Sequence, residues 1–391
     1  MLKSVDRILV THAGSLPRAE PLGSMLVDQE AGKPVDKAKL KDSTEVRVKH
    51  VLAKQVEVGI DSVNDGEQGR VGFQTYVAQR MSGYGGASTR HPGKDWVVFP
   101  QYAERFRLRL PPTMGKVNNA PQAIADVKYH GAELIAAETE RLTRLAAAVK
   151  SKIAETFMNA ASPGIIATTL QNAYYKTHED YLTAVAKQMR NEYAAVVKAG
   201  HILQIDAPDM AMERTMLFQD KTESEFVGIL EKHVAALNLA LEGLPSDRIR
   251  LHVCWGNWDG PHVHDVPMAA ILPTLYQAKV GALGLEFGNS AKQHEVAALR
   301  KHKLPDKLVL IAGVVDSKSN IVEHTEVVAQ RIEAVVGAVG DRERVMAGVD
   351  CGFGTFVGYE WVTEDVVWAK LRALRQGADI ASKRLWGKKA A

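Results

Sequence analysis

Eight short runs rich in β-branched and apolar residues recur along the chain, each followed by a longer charged stretch with helical spacing. This alternation restricts the fold more than any other feature. The runs are RILVTH (7–12), IDSVND (60–65), TFMNAAS (156–162), HILQID (201–206), RIRLHVCW (248–255), ALGLEFG (282–288), KLVLIAGVVD (307–316) and RVMAGVDC (344–351). Helical spacing marks 43–59, 179–200 and 325–340, all of which end at Gly. Strand, crossover helix and strand in repetition build a parallel α/β sheet, and eight such units close into a (β/α)8 TIM barrel. One interval breaks the rhythm. Residues 70–125 hold GYGG, RHPG, LPP and the apolar-alternating DWVVFPQYAERFRLRL, which read as an inserted extended arm or hairpin after the second strand, covering one mouth. Without a solenoid repeat or low-complexity linker, 1–391 is expected to be a single catalytic barrel with that insertion. The basic stretch at 383–389 reads as a frayed tail.

Lys plus Arg number 49 against 46 Asp plus Glu, a net charge of +3 spread evenly. That balance argues against a nucleic-acid surface and for small-molecule partners. The N-terminus lacks a signal peptide's apolar core, and no apolar run approaches the roughly 18 residues of a membrane span, so a cytoplasmic location is expected. In a reducing compartment the two cysteines read as buried hydrophobes, metal ligands or nucleophiles.

In such a barrel the chemistry sits where strands hand over to the following loops. Those positions are unusually polar here: His12, Asp65 and Glu67, Asp206, His252 and Cys254, Glu286, Asp316, then Asp350 and Cys351. His252 and Cys254 are two apart on one strand and share a face. If the barrel closes, His252, Cys254, Glu286 and Cys351 can surround one ion, and zinc takes this mixture of imidazole, thiolate and carboxylate. The competing reading is that a His or Cys on an apolar strand is packed core. His262 and His264 read better as a solvated loop, and GFGTFVG (352–358) as a tight turn lacking the dinucleotide fingerprint.

The motifs THAGSLPR, VNDGEQGR, QIDAP, HVCWGN, LEFGNS and GVDCGFGT occur in one order, with a likeness running from about residue 7 to about residue 380. Together they resemble the catalytic barrel of cobalamin-independent methionine synthase, in which zinc activates homocysteine sulfur for methyl transfer from a folate. The resemblance implies that His252, Cys254, Glu286 and Cys351 ligate Zn2+. It implies that Asp206 and Glu67 hold the amino group of an amino-acid thiol, and that Gly14 and Ser15 offer backbone contacts to its carboxylate. Four protein ligands fill a tetrahedron, so an incoming thiol must displace one, and the oxygen of Glu286 is the natural candidate.

The chain departs from the family in three ways. The resemblance covers only the catalytic barrel of a two-barrel enzyme. The segment under the pterin, where the family has a tryptophan, is LQNAYY (170–175), leaving Tyr174 or Tyr175 to stack. The family's proton-donating histidine is absent from VVDSKSN (314–320), where Lys318 stands closest. The alkyl donor therefore stays open between methyl-folate, a methylcorrinoid protein and, as in the single-barrel epoxyalkane:coenzyme M transferases, an epoxide. For the last, Arg18, Arg70 and Lys318 are available to a sulfonate. A non-catalytic, zinc-stabilised barrel is the remaining alternative, disfavoured by the acids crowding the same mouth.

Overall fold

The computed structural model describes residues 1–110 and 119–387. Nine strands occur among them: β1 (Ser62–Val63), β2 (Met81–Gly85), β3 (Gln122–Tyr129), β4 (Glu155–Ala161), β5 (Ile202–Asp206), β6 (Ile249–His252), β7 (Ala282–Glu286), β8 (Val309–Val315) and β9 (Val345–Val349). Seven form one parallel sheet in the order β1-β4-β5-β6-β7-β8-β9. The run at 7–12, expected as the first strand, is extended and makes a single parallel bridge between Val10 and Ala347. Thr11 N–H donates to Ala347 O while Asp61 and Ser62 N–H donate to Val10 O, so this run lies between β9 and β1 and closes a TIM-barrel-like ring. With β1 only two residues long, it has little strand to pair with there.

Alternation along the strands sorts their side chains. Leu203, Ile205, Leu251, Leu283 and Leu285 face outward into the main core shared with the helices. Leu9, Ala282, Val309, Ile311 and Met346 form a separate apolar cluster that plugs the lumen's lower end. Above it lies a polar layer, in which Arg250 donates to Gln204 Oε1 at 2.7 Å and Thr11 Oγ1 at 3.1 Å and stacks 3.6 Å over Phe157. Asp206 and His252 end β5 and β6 one inward step higher, and Glu286 ends β7 a further step up.

Helices follow the expected spacing. His178–Lys198 starts at the Thr177 cap with Glu179 and Asp180 in its first turn, and buries Tyr181, Val185 and Met189 at four-residue intervals. Thr325–Val339 stops at Gly340, whose φ of 79° few other residues adopt. In the insertion, β2 and β3 form the expected antiparallel pair. The stretch expected to be extended instead folds as two helices, Lys94–Val98 and Pro100–Arg109. Pro100 sits at a helix start, where it costs no hydrogen bond, and Phe106 turns into a cluster with Trp96, Tyr102 and Trp361. Residues 111–118 of the insertion, Pro111 and Pro112 included, lie outside the described residues. The helix Glu364–Trp386 takes in the first part of the stretch expected to be a frayed tail, and Arg384 pairs there with Glu326 at 2.8 Å; Lys388 and Lys389 lie outside the described residues. No described helix is long and apolar enough to cross a membrane.

Candidate metal centre and active-site cavity

The loops after β6 and β9 bring His252, Cys254 and Cys351 together, all buried, with one donor atom of each within 4.8 Å of the others. Two side chains fix these loops. Asn257 Nδ2 donates to Gly352 O at 2.7 Å, and the Asp350 carboxylate accepts from the backbone N–H groups of Phe287, Gly288 and Asn289. His252 Nε2 is buried without a hydrogen-bond partner. Burial and the charges of Arg250 and Lys318 lower its pKa to about 3, which keeps the imidazole neutral and its lone pair available. The Cys351 thiol is pushed up, first by its hydrogen bond to Cys254 and then by burial. A bound cation reverses that preference by stabilising thiolate. One imidazole with an orphaned nitrogen and two free thiols fit a borderline-soft metal ion.

Glu286, expected as the fourth ligand, is not in this group. Its Oε2 accepts from Lys318 Nζ at 2.9 Å and its Oε1 from Trp255 N–H at 3.1 Å. Lys318 is therefore turned inward onto Glu286 and is not part of the cavity wall.

Glu67 and Asp206 meet in the same cavity as the metal-competent trio. Glu67 follows β1 in a tight turn with φ of 53°, a strained conformation for a residue with a side chain. Its Oε2 is buried and unpartnered. Burial, and next the charge of Asp206, push its pKa up to about 8 against the opposing pull of Arg18 and Arg70. Asp206 is raised to about 6 by burial, although Asn159 at 2.8 Å and Gln204 at 2.7 Å both donate to it. Asn159 also donates to Ala13 O at 2.8 Å, which ties the acid to the Gly14 turn. Gly14 has φ of 121° and a Cβ there would stand 2.3 Å from Asn159, so only glycine fits. Its N–H is already given to His12 Nδ1, whereas Ser15 lines the cavity.

The cavity, partly open to solvent, has a second wall that the sequence did not disclose: Phe73, Trp96, Phe106, Met212, Met216, Trp258, Phe356 and Tyr359. Trp96 stands 5.3 Å from Phe106 and 5.8 Å from Trp258 between ring centroids. Arg90, the one cation among the described residues that line the cavity, donates to Glu213 at 2.6 Å and to Thr169 at 3.2 Å. Trp258 lies four residues beyond Cys254, the one local signal for this wall. Tyr174, expected to stack on a pterin, is 55% exposed and packs edge-on against Tyr175, away from the cavity. Tyr175 is taken up by stacking on Tyr181 and accepting from Val127 N–H. Arg70 pairs with Glu138 at 2.8 Å. His262 and His264, expected in a solvated loop, pair with Asp265 and Asp95.

A curled parallel sheet with its metal-competent side chains at the C-terminal strand ends defines a barrel enzyme class. Residues 8–376 match the family model described as cobalamin-independent synthase, catalytic domain, and the chain belongs to that family. It is 27% identical to a 2-hydroxypropyl-CoM lyase of Xanthobacter autotrophicus, over 92% of this chain and 89% of that protein. It is 25% identical to a methionine synthase of Sulfolobus acidocaldarius, over 90% and 87% respectively. The fold matches a B12-independent methionine synthase from Shewanella sp. solved with selenomethionine, with a TM-score of 0.70 and 20% identity over 98% of this chain and 100% of that one.

Proposed function

We propose that this chain is a cytoplasmic, zinc-dependent methyltransferase of the methionine-synthase type, one catalytic barrel with its insertion at about 70–125, which moves a methyl group to the sulfur of homocysteine. The observation that carries this reading is that one cavity holds both the His252, Cys254 and Cys351 trio and two carboxyls, Glu67 and Asp206, one of them with an unpartnered oxygen. A zinc ion held by His252, Cys254 and Cys351, with Glu286 as exchangeable fourth ligand, would supply the Lewis acid that keeps a substrate sulfur as thiolate at neutral pH. Glu67 and Asp206 receive the substrate ammonium, and its arrival favours the ionised form of both acids. Ser15 in the Gly14 turn faces the carboxylate end. The aromatic and thioether wall takes the alkyl donor, methyl-folate or a methylcorrinoid protein, and excludes water from the sulfur.

A second reading, alkyl transfer to coenzyme M from an epoxide, is favoured by the name of the Xanthobacter relative and by Arg18, whose three guanidinium nitrogens are buried without partners near Glu67. Thiol consumption by the zinc-loaded protein, measured with homocysteine and coenzyme M against methyl-folate, methylcobalamin and a short epoxide, separates the two. Homocysteine consumed with a methyl donor is the expected result. Coenzyme M consumed only with the epoxide selects the second reading, and full activity in metal-free protein overturns both.

A further inference from the structure

Lys318 has a role that neither a metal ligand nor a substrate contact accounts for. Its ammonium is 2.9 Å from Glu286 Oε2, and the two side chains are 4% and 0% exposed. The loop that carries it is pinned: Lys318 N–H and Ser319 Oγ both donate to the Asp316 carboxylate, and Asp316 N–H donates to Glu323. Of the anions near Lys318, Asp350 is occupied by three backbone N–H groups, and the ion pair goes to Glu286. Glu286 thus holds Lys318 with one oxygen and, with the other, the N–H of Trp255, the residue next to Cys254 of the metal-competent trio.

We propose that Lys318 is a positioning residue that takes over the Glu286 carboxylate when a substrate sulfur enters the metal centre. This rests on the metal-dependent thiol chemistry proposed above. One thiolate enters as one carboxylate leaves, and the thiol's proton goes to water, so the charge at the centre is unchanged. The released carboxylate meets Lys318 rather than remaining an unpaired buried charge, which is strongly destabilising. Before the thiol arrives, Lys318 competes with the metal for Glu286 and so makes the carboxylate an exchangeable ligand.

The test uses the full chain loaded with cobalt(II), whose visible spectrum reports coordination. In Lys318→Met, Glu286 loses its alternative partner, so cobalt affinity measured by chelator competition is expected to rise about tenfold and homocysteine affinity to fall about tenfold. In a Glu286→Gln background the Lys318→Met change is expected to alter neither value. Should Lys318→Met fail to fold, Lys318→Gln, which keeps a donor to Glu286 but no charge, is expected to shift both values in the same directions, and unchanged values there overturn the proposal equally. Unchanged affinities in Lys318→Met, or equal changes with and without Glu286, overturn the proposal alone. A wild-type chain that binds no cobalt overturns the metal reading and the proposal together.

Discussion

Glu67 and Asp206 show most clearly how the barrel's interior shapes single residues. Both carboxyls are held above their ordinary pKa by burial, and Glu67 additionally by Asp206, so the folded chain binds more protons than the unfolded one between the two sets of values. Stability of the ligand-free protein should therefore fall as pH rises from about 4.5 to about 8. Glu67→Gln is expected to flatten that slope in chemical denaturation across the same range. In the proposed function an amino thiol's ammonium would reverse the preference and drive a proton off. Homocysteine binding at pH 7, followed by calorimetry in buffers of different ionisation enthalpy, should release about one proton more from wild type than from Glu67→Gln. Equal release from both would remove Glu67 from the ammonium site.

At the scale of elements, the C-terminal strand ends supply the reactive side chains and the insertion supplies a wall. Trp96 belongs to the short helix Lys94–Val98 and touches no member of the metal trio in the ring and hydrogen-bond contacts that define its position. Trp96→Ala is expected to raise KM for the alkyl donor about tenfold while leaving thiol affinity unchanged. A loss confined to thiol binding would contradict that division of the cavity. The inward set was legible because alternation along β5, β6 and β7 repeats strictly, and because His252, Cys254 and Cys351 include both cysteines. The aromatic wall was not legible, since it draws on the insertion and several separate loops that share no periodicity. Nor was the pairing of Glu286 with Lys318, 32 residues apart, which exists only because β7 and β8 are neighbours. The helices at 94–109 were misread for a related reason: a short apolar stretch satisfies both periods until its partners, here Trp361 and Tyr359, are known.

For the whole molecule, closure is the decisive event, because Cys351 and the Gly14 turn come to one cavity only when the run at 7–12 joins β9 to β1. Asp61 holds that seam by accepting from Val10 N–H at 2.8 Å, Arg7 at 2.6 Å and Arg375 at 3.1 Å. Asp61→Ala should cost about 2 kcal/mol in denaturant unfolding, because it leaves the Val10 N–H and the Arg7 guanidinium without their partner, whereas Arg375 keeps Asp379 and Ile8 O. The exposed pair of Asp28 and Lys33 provides the control, with Asp28→Ala staying within about 0.5 kcal/mol. The eight-unit rhythm was readable because each unit carries its own period, whereas the reduction of the first strand to one bridge depended on how little of β1 remains to pair. The central claim, that this closed barrel presents a metal-bound sulfur site to an amino thiol, is tested most directly by titrating the cobalt-loaded chain with homocysteine. A sulfur-to-cobalt charge-transfer band that grows to saturation at one thiol per cobalt, and is absent in the Cys254→Ser, Cys351→Ser double variant, is expected. No new band with homocysteine, or one that survives loss of both cysteines, would contradict it.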